Sequence, residues 1–218
     1  VSVGSGNSGS GGELILSAGE SSFTSGGRVV IQTGVGTTKS SGSLLISTAA
    51  SGSAGVSGFM VLSTGSSALG NTGTMLFGTG VATSGRGGLM SITVGSGNSG
   101  SGGDVLLTAG GSSDTIGTAS GGQIYMSAGT SAIQTGGRIL IRSGVSSLTT
   151  SGAFGAITSN SGTAGVSGYM VLSSGVSSLG NSGALFVGSG TSSSGRGGSI
   201  YVSVGSGNSG SGGELILS

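Results

Sequence analysis

Residues 202 to 218 read VSVGSGNSGSGGELILS and reproduce residues 1 to 17 without a change. A third copy, VGSGNSGSGGDVLLT from Val94, divides the super-repeat between Val3 and Val204 into a shorter first part and a longer second part. Self-similarity at a fixed period is the mark of stacked supersecondary units rather than of a catalytic globule. The chain is therefore expected to be one continuous domain over 1-218, a window on a longer tandem repeat, with sub-repeats at about 13-103 and 104-213.

Aligning the short apolar runs exposes a finer period. They read ELILS at 13, RVVIQ at 28, SLLIS at 43, FMVLS at 59, TMLFG at 74, LMSIT at 89 and DVLLT at 104. They continue as QIYMS at 123, RILIR at 138, AFGAI at 153, YMVLS at 169, ALFVG at 184, SIYVS at 199 and ELILS at 214. The starts are evenly spaced except for slightly longer steps from 43 to 59 and from 153 to 169 and a long unit from 104 to 123, so that thirteen units fill the super-repeat. Five apolar, partly β-branched residues bounded by Gly and Ser are the signature of a short strand. A helix is excluded by run length and by Gly density, since each interior Gly costs about 1 kcal/mol relative to Ala. These features predict an all-β fold, a parallel β-solenoid of about 15 residues per coil.

Gly immediately precedes every run: Gly12, Gly27, Gly42, Gly58, Gly73, Gly88, Gly103, Gly122, Gly137, Gly152, Gly168, Gly183, Gly198 and Gly213. Such strictness predicts a corner that needs φ > 0 or leaves no room for a Cβ. Between the corners lies a weaker segment with its own apolar residue, such as Phe23, Leu69, Ile133, Leu148 or Leu179. The expected coil is flattened, with this weak side facing the strong run.

Within the run the second and fourth positions, for instance Leu14 and Leu16 or Ile139 and Ile141, share one face by the period-2 geometry of a strand, and that face is expected to be the core. The third position then points outward, yet it too is apolar: Ile15, Val30, Leu45, Val61, Leu76, Leu106, Tyr125, Leu140, Val171, Phe186 and Tyr201, with Ser91 and Gly155 as exceptions. β-Propensity alone would favour Val, Ile and Tyr there. A contiguous apolar stripe is nevertheless something soluble monomers seldom expose, and these residues are expected to form a lateral interface with a second copy.

Composition excludes several function classes. The chain has 54 Gly and no Pro, Cys, His or Trp, which suggests a flexible linker, but 33% of its residues are hydrophobic, only 5% are charged and mean hydropathy is +0.38. Disorder of the usual kind needs the opposite balance. A net charge of +1 from scattered residues offers no phosphate-binding patch, and 4% aromatic residues offer no base-stacking platform, so a nucleic-acid partner is not expected. No apolar run approaches the roughly 20 residues of a membrane-spanning helix.

Motifs with chemical meaning dissolve on inspection. GSGNSG at 4, 95 and 205 matches a dinucleotide fingerprint in letters, but no helix or distant acidic residue completes it. Calcium-binding coil repeats would need Asp where these turns carry Asn and Ser. Without His or Cys no Ser-His-Asp or Cys-His nucleophile can be assembled. The few carboxylates, Glu13, Glu20, Asp104, Asp114 and Glu214, are mostly far apart in the repeat. No catalytic, cofactor-binding or metal-ligating residue is expected, and no cofactor.

The SGNSG and SGRGG turns alternating with short apolar runs, and the AGVSG bridges at Ala54 and Ala164, resemble the long Gly/Ser-rich short-period repeat proteins of diatoms and other microalgae. The resemblance covers the whole chain as a pattern, and it implies a secreted or surface-associated structural role. The expected function is an extracellular filament, fibrous matrix or adhesive built by the chain with itself, through end-to-end continuation and lateral pairing. The competing expectation is a surface that binds ice or a polysaccharide through rows of hydroxyls. Thr33, Thr48, Thr64 and Thr79 form such a row, which then passes into Val94, Ala109, Ala128 and Ser143.

Overall fold

A computed structural model describes residues 1–115, 117 and 119–217. The closing Ser218 of the last run lies outside the described residues. The chain divides into two units, Val1–Leu106 and Leu107–Ser218. Both are built from one motif, a small Gly-rich loop followed by an extended apolar run. A bend lies in the middle of each loop, for example at residues 7–9, 37–39, 147–149 and 208–210.

The loops close at a neck. The N–H of Gly12 donates to the carbonyl of Gly4 at 3.1 Å, that of Gly27 to Gly19 at 2.8 Å, that of Gly137 to Gly129 at 2.8 Å and that of Gly152 to Gly144 at 2.9 Å. The long unit after Asp104 closes in the same way across a wider loop, Gly122 to Gly110 at 2.8 Å. In the loop ending at Gly88 a hydroxyl supplies the bond, Thr79 Oγ1 donating to the Gly88 carbonyl at 3.4 Å. Its counterpart in the second unit, Ser189 Oγ, reaches the Gly198 carbonyl at 2.8 Å.

The neck overturns the parallel β-solenoid. In a parallel stack each run would start beside the start of its predecessor and bond to it along its length. Here it starts at its predecessor's end: Ala18, directly after the run at 13, meets Gly27, directly before the run at 28. Backbone pairing is thus made locally, from one side of a loop to the other, and among the described residues no ladder joins one run to the next. Among the described residues there is neither strand nor helix.

The expected core is absent for a related reason. The weak segment that was to face the run stands out on the loop instead, with Phe23 99% and Leu69 103% exposed. Nothing then covers the inner face of the run, and Leu14 and Leu16 are 55% and 72% exposed. Among the described residues no side chain is buried at all. The total accessible area is 21652 Å². A folded globule of this mass, 20.0 kDa, would expose roughly 8,700 Å² and a fully unfolded chain roughly 29,000 Å². Among the described residues no helix is long and apolar enough to cross a membrane.

Candidate functional site

The fourteen glycines that precede the runs all sit at the necks, each against the residue that follows the preceding run. A Cβ at Gly27 would lie 3.0 Å from the Gly19 nitrogen and 3.1 Å from Ala18 Cβ, and one at Gly137 would lie 3.1 Å from the Gly129 nitrogen. At Gly42 and Gly88 it would meet Thr33 Cβ and Thr79 Cγ2, each at 3.2 Å, and at Gly12 it would run into Val3 Cγ1. At these positions the requirement is for space, whereas at Gly58, Gly73, Gly152, Gly168 and Gly183 the nearest atoms lie 3.4 to 3.6 Å away, an ordinary contact. None of these fourteen has a positive φ, which is confined among the described residues to Gly55, Gly100, Gly117, Gly165 and Gly210. Gly55 and Gly165, at φ 133° and 123°, are the first glycines of the two AGVSG segments, where a side chain would be strained.

The same geometry accounts for the hydroxyl row. Thr33, Thr48, Thr64 and Thr79 pack their Cβ or Cγ2 against Gly42, Gly58, Gly73 and Gly88. Ala109, Ala128 and Ser143 occupy the corresponding place at later necks. A position that accepts Thr, Val, Ala and Ser interchangeably fits beside a glycine, and Thr79 also turns its hydroxyl onto the neck, Oγ1 donating to the Gly88 carbonyl.

A second loop position is less legible in the sequence. Two positions after the loop opens, the chain carries either Gly or Ser in nearly every unit. In several of the loops with Ser the hydroxyl caps the bend: Ser21 Oγ accepts from the Thr24 N–H at 3.0 Å, Ser67 from Gly70 at 3.1 Å, and Ser131 from Gln134 at 3.0 Å. Ser146 and Ser177 do the same for Thr149 and Gly180. Where it is Gly, the returning backbone takes the space, as the Ser10 carbonyl 2.8 Å from where a Gly6 Cβ would stand. Short hydroxyl side chains satisfying a nearby N–H are the usual device for holding such turns. The signal is a Ser at fixed distance from Gly, hidden by the abundance of Ser elsewhere.

The runs form the one extended chemical feature left, and it is apolar. The second position is the more sheltered, from 42% exposed at Met75 to 65% at Phe154, but the fourth, expected to share its face, is not: Leu16 at 72% matches Ile15 at 71%, and Leu172 at 72% matches Val171 at 70%. The third position ranges from 64% at Val30 to 92% at Phe186. Ile15, Leu45, Val61, Leu76, Leu106, Tyr125, Leu140, Val171 and Tyr201 lie between those values. Phe77 at the end of one run and Met90 and Ile92 of the next line a shallow hollow of about 450 Å³. A second hollow, about 480 Å³, lies at the neck around Thr33, Gly34 and Ser41.

Neither hollow holds chemistry. Their linings carry no charged side chain, and among the described residues no group of three or more His, Cys, Asp or Glu could hold a metal. What the arrangement can do is present apolar surface at regular intervals on a chain held in shape by its loop necks. No family model, curated protein or solved structure matches the chain.

Proposed function

We propose that this chain is a structural protein without catalytic activity, which assembles with copies of itself into a fibrous or adhesive extracellular material. One observation carries the reading: every large apolar side chain among the described residues is at least 42% exposed. Ordering a backbone costs about 1–2 kcal/mol per residue, and apolar burial is the main term against it. A chain that buries none of its own apolar residues reaches that term by covering them with something else. Its low charge lets copies approach, since a net +1 over 218 residues offers little mutual repulsion.

Exposed hydroxyls, absent His and Cys, and loops held by backbone and hydroxyl contacts suit a passive material better than a binding site. The hydroxyl-lattice alternative is less favoured because its row gives way to Val94, Ala109 and Ala128. Light scattering and electron microscopy over a concentration series test the proposal. Assembly should set in above a threshold concentration, strengthen with sulfate and weaken with urea, as apolar burial does. A chain that stays monomeric at high concentration and high sulfate would overturn it.

A further inference from the structure

The spacing of the runs says which surfaces meet. Runs begin at 13, 28, 43, 59, 74, 89 and 104 in the first half and at 123, 138, 153, 169, 184, 199 and 214 in the second. The shift that carries the start at 13 onto 123 carries each of the first seven onto one of the second, and the longer step from 43 to 59 falls on that from 153 to 169. Shifting by one unit instead misplaces those steps and the long unit from 104. The loops keep the same register: Gly55 and Gly165, and Gly100 and Gly210, are the positive-φ glycines at matching places.

The outward third positions then show a complementarity. Among the first seven the one small residue is Ser91, and among the second seven it is Gly155. Their counterparts under that shift are Tyr201 and Leu45, 91% and 88% exposed. Where the first stripe has a gap, the second has a large side chain, and the reverse holds at the other gap. Facing surfaces pack when large residues oppose small ones. Two first stripes laid together would set Ser91 against Ser91, and two second stripes would set Gly155 against Gly155, leaving voids.

We propose that the apolar stripe of Val1–Leu106 in one copy docks, run for run, on the stripe of Leu107–Ser218 in a second copy. This rests on the self-assembly reading above and specifies its interface. Two different surfaces meeting in this way make a heterologous contact, in which each copy keeps one unsatisfied stripe at either side, so the assembly grows as an open filament staggered by half a chain. Six of the seven runs in each stripe offer a large outward side chain, roughly 100 Å² apiece, which brings the contact to the order of the roughly 800 Å² per partner of a stable interface.

The absence of Cys makes the test direct. Full-length chains carrying Ser91→Cys are mixed with full-length chains carrying Tyr201→Cys, allowed to assemble and oxidised, and the disulfides are identified by mass spectrometry. A parallel mixture pairs Leu76→Cys with Phe186→Cys, which keeps Ser91 and Tyr201 native. Links between 91 and 201, and between 76 and 186, are expected in excess of the share that random collision gives, and a third mixture of Leu76→Cys with Tyr201→Cys chains should give none. Assembly with links mainly between identical positions, or with no links, would overturn this docking while leaving self-assembly standing. A chain bearing both Ser91→Cys and Tyr201→Cys that closes an internal disulfide at high dilution would also overturn it. Failure of the native chain to assemble would overturn the functional reading itself.

Discussion

Replacing Leu76, Leu106 and Leu140 together with Ser is expected to abolish assembly at concentrations where the native chain forms filaments. Each side chain is 68% exposed or more, so it contributes little to the isolated chain and nearly all of its apolar surface is available to a partner. Burying a Leu is worth about 1.5–3 kcal/mol. Three per chain come to roughly 5 kcal/mol, which corresponds to more than a thousandfold in the concentration needed. The same positions changed to Met keep volume and apolarity and should retain assembly within about tenfold. Scattering thresholds for the two triple variants check this, and equal thresholds for the Ser variant and the native chain would contradict it.

Gly27→Ala is expected to open the neck of its loop, whereas Gly26→Ala beside it should be tolerated. At Gly27 a methyl would press on the Gly19 nitrogen at 3.0 Å and the Gly19 carbonyl oxygen at 3.3 Å, while at Gly26 its nearest neighbour is 3.6 Å away. The crowded atoms are backbone, so relief means separating the two sides of the neck and losing the 2.8 Å bond between Gly27 and Gly19. Overpacking of this kind costs about 1–3 kcal/mol. Because the neck sets where the next run starts, the assembly threshold should rise roughly fivefold to a hundredfold for Gly27→Ala. Gly137→Ala and Gly136→Ala form the equivalent pair in the second half, with closest contacts of 3.1 Å and 3.7 Å. Identical thresholds within each pair would contradict the role given to the neck.

The positions of the runs and the strictness of the glycine before each were visible in the letters, since both follow from local chemistry. The topology was not. A period of this length serves equally for a coil whose next run stacks beside the last and for a loop whose next run begins where the last one ended. The choice is made by which carbonyl the Gly27 N–H finds, and Gly19, on the opening side of the same loop, is the nearer in sequence. The solenoid also required Phe23, Leu69 and their equivalents to close a core from the opposite side. A loop carries at most two large apolar side chains, as with Val145 and Leu148, and the GSGNSG loops carry none, which is too little to fill that side, and these residues stand in solvent.

The Thr row has a similarly local origin. Thr33, Thr48, Thr64 and Thr79 recur with the period of the runs, and periodic hydroxyls suggest a lattice. Their recurrence comes from the necks, where each packs on a glycine. The Ser caps at Ser21, Ser67, Ser131, Ser146 and Ser177 obey the same period and were harder to see, because a Gly replaces them in several loops without changing the bend.

Amide hydrogen exchange read residue by residue, on the dilute chain and on the assembled material, tests most directly whether the apolar runs are open in one copy and covered by another. The dilute chain should exchange at nearly unprotected rates throughout 13–17, 74–78, 138–142 and the other runs. Those amides should become protected together as assembly proceeds. Runs already protected in the dilute monomer would contradict the account, because they would show that a single chain covers its own apolar residues.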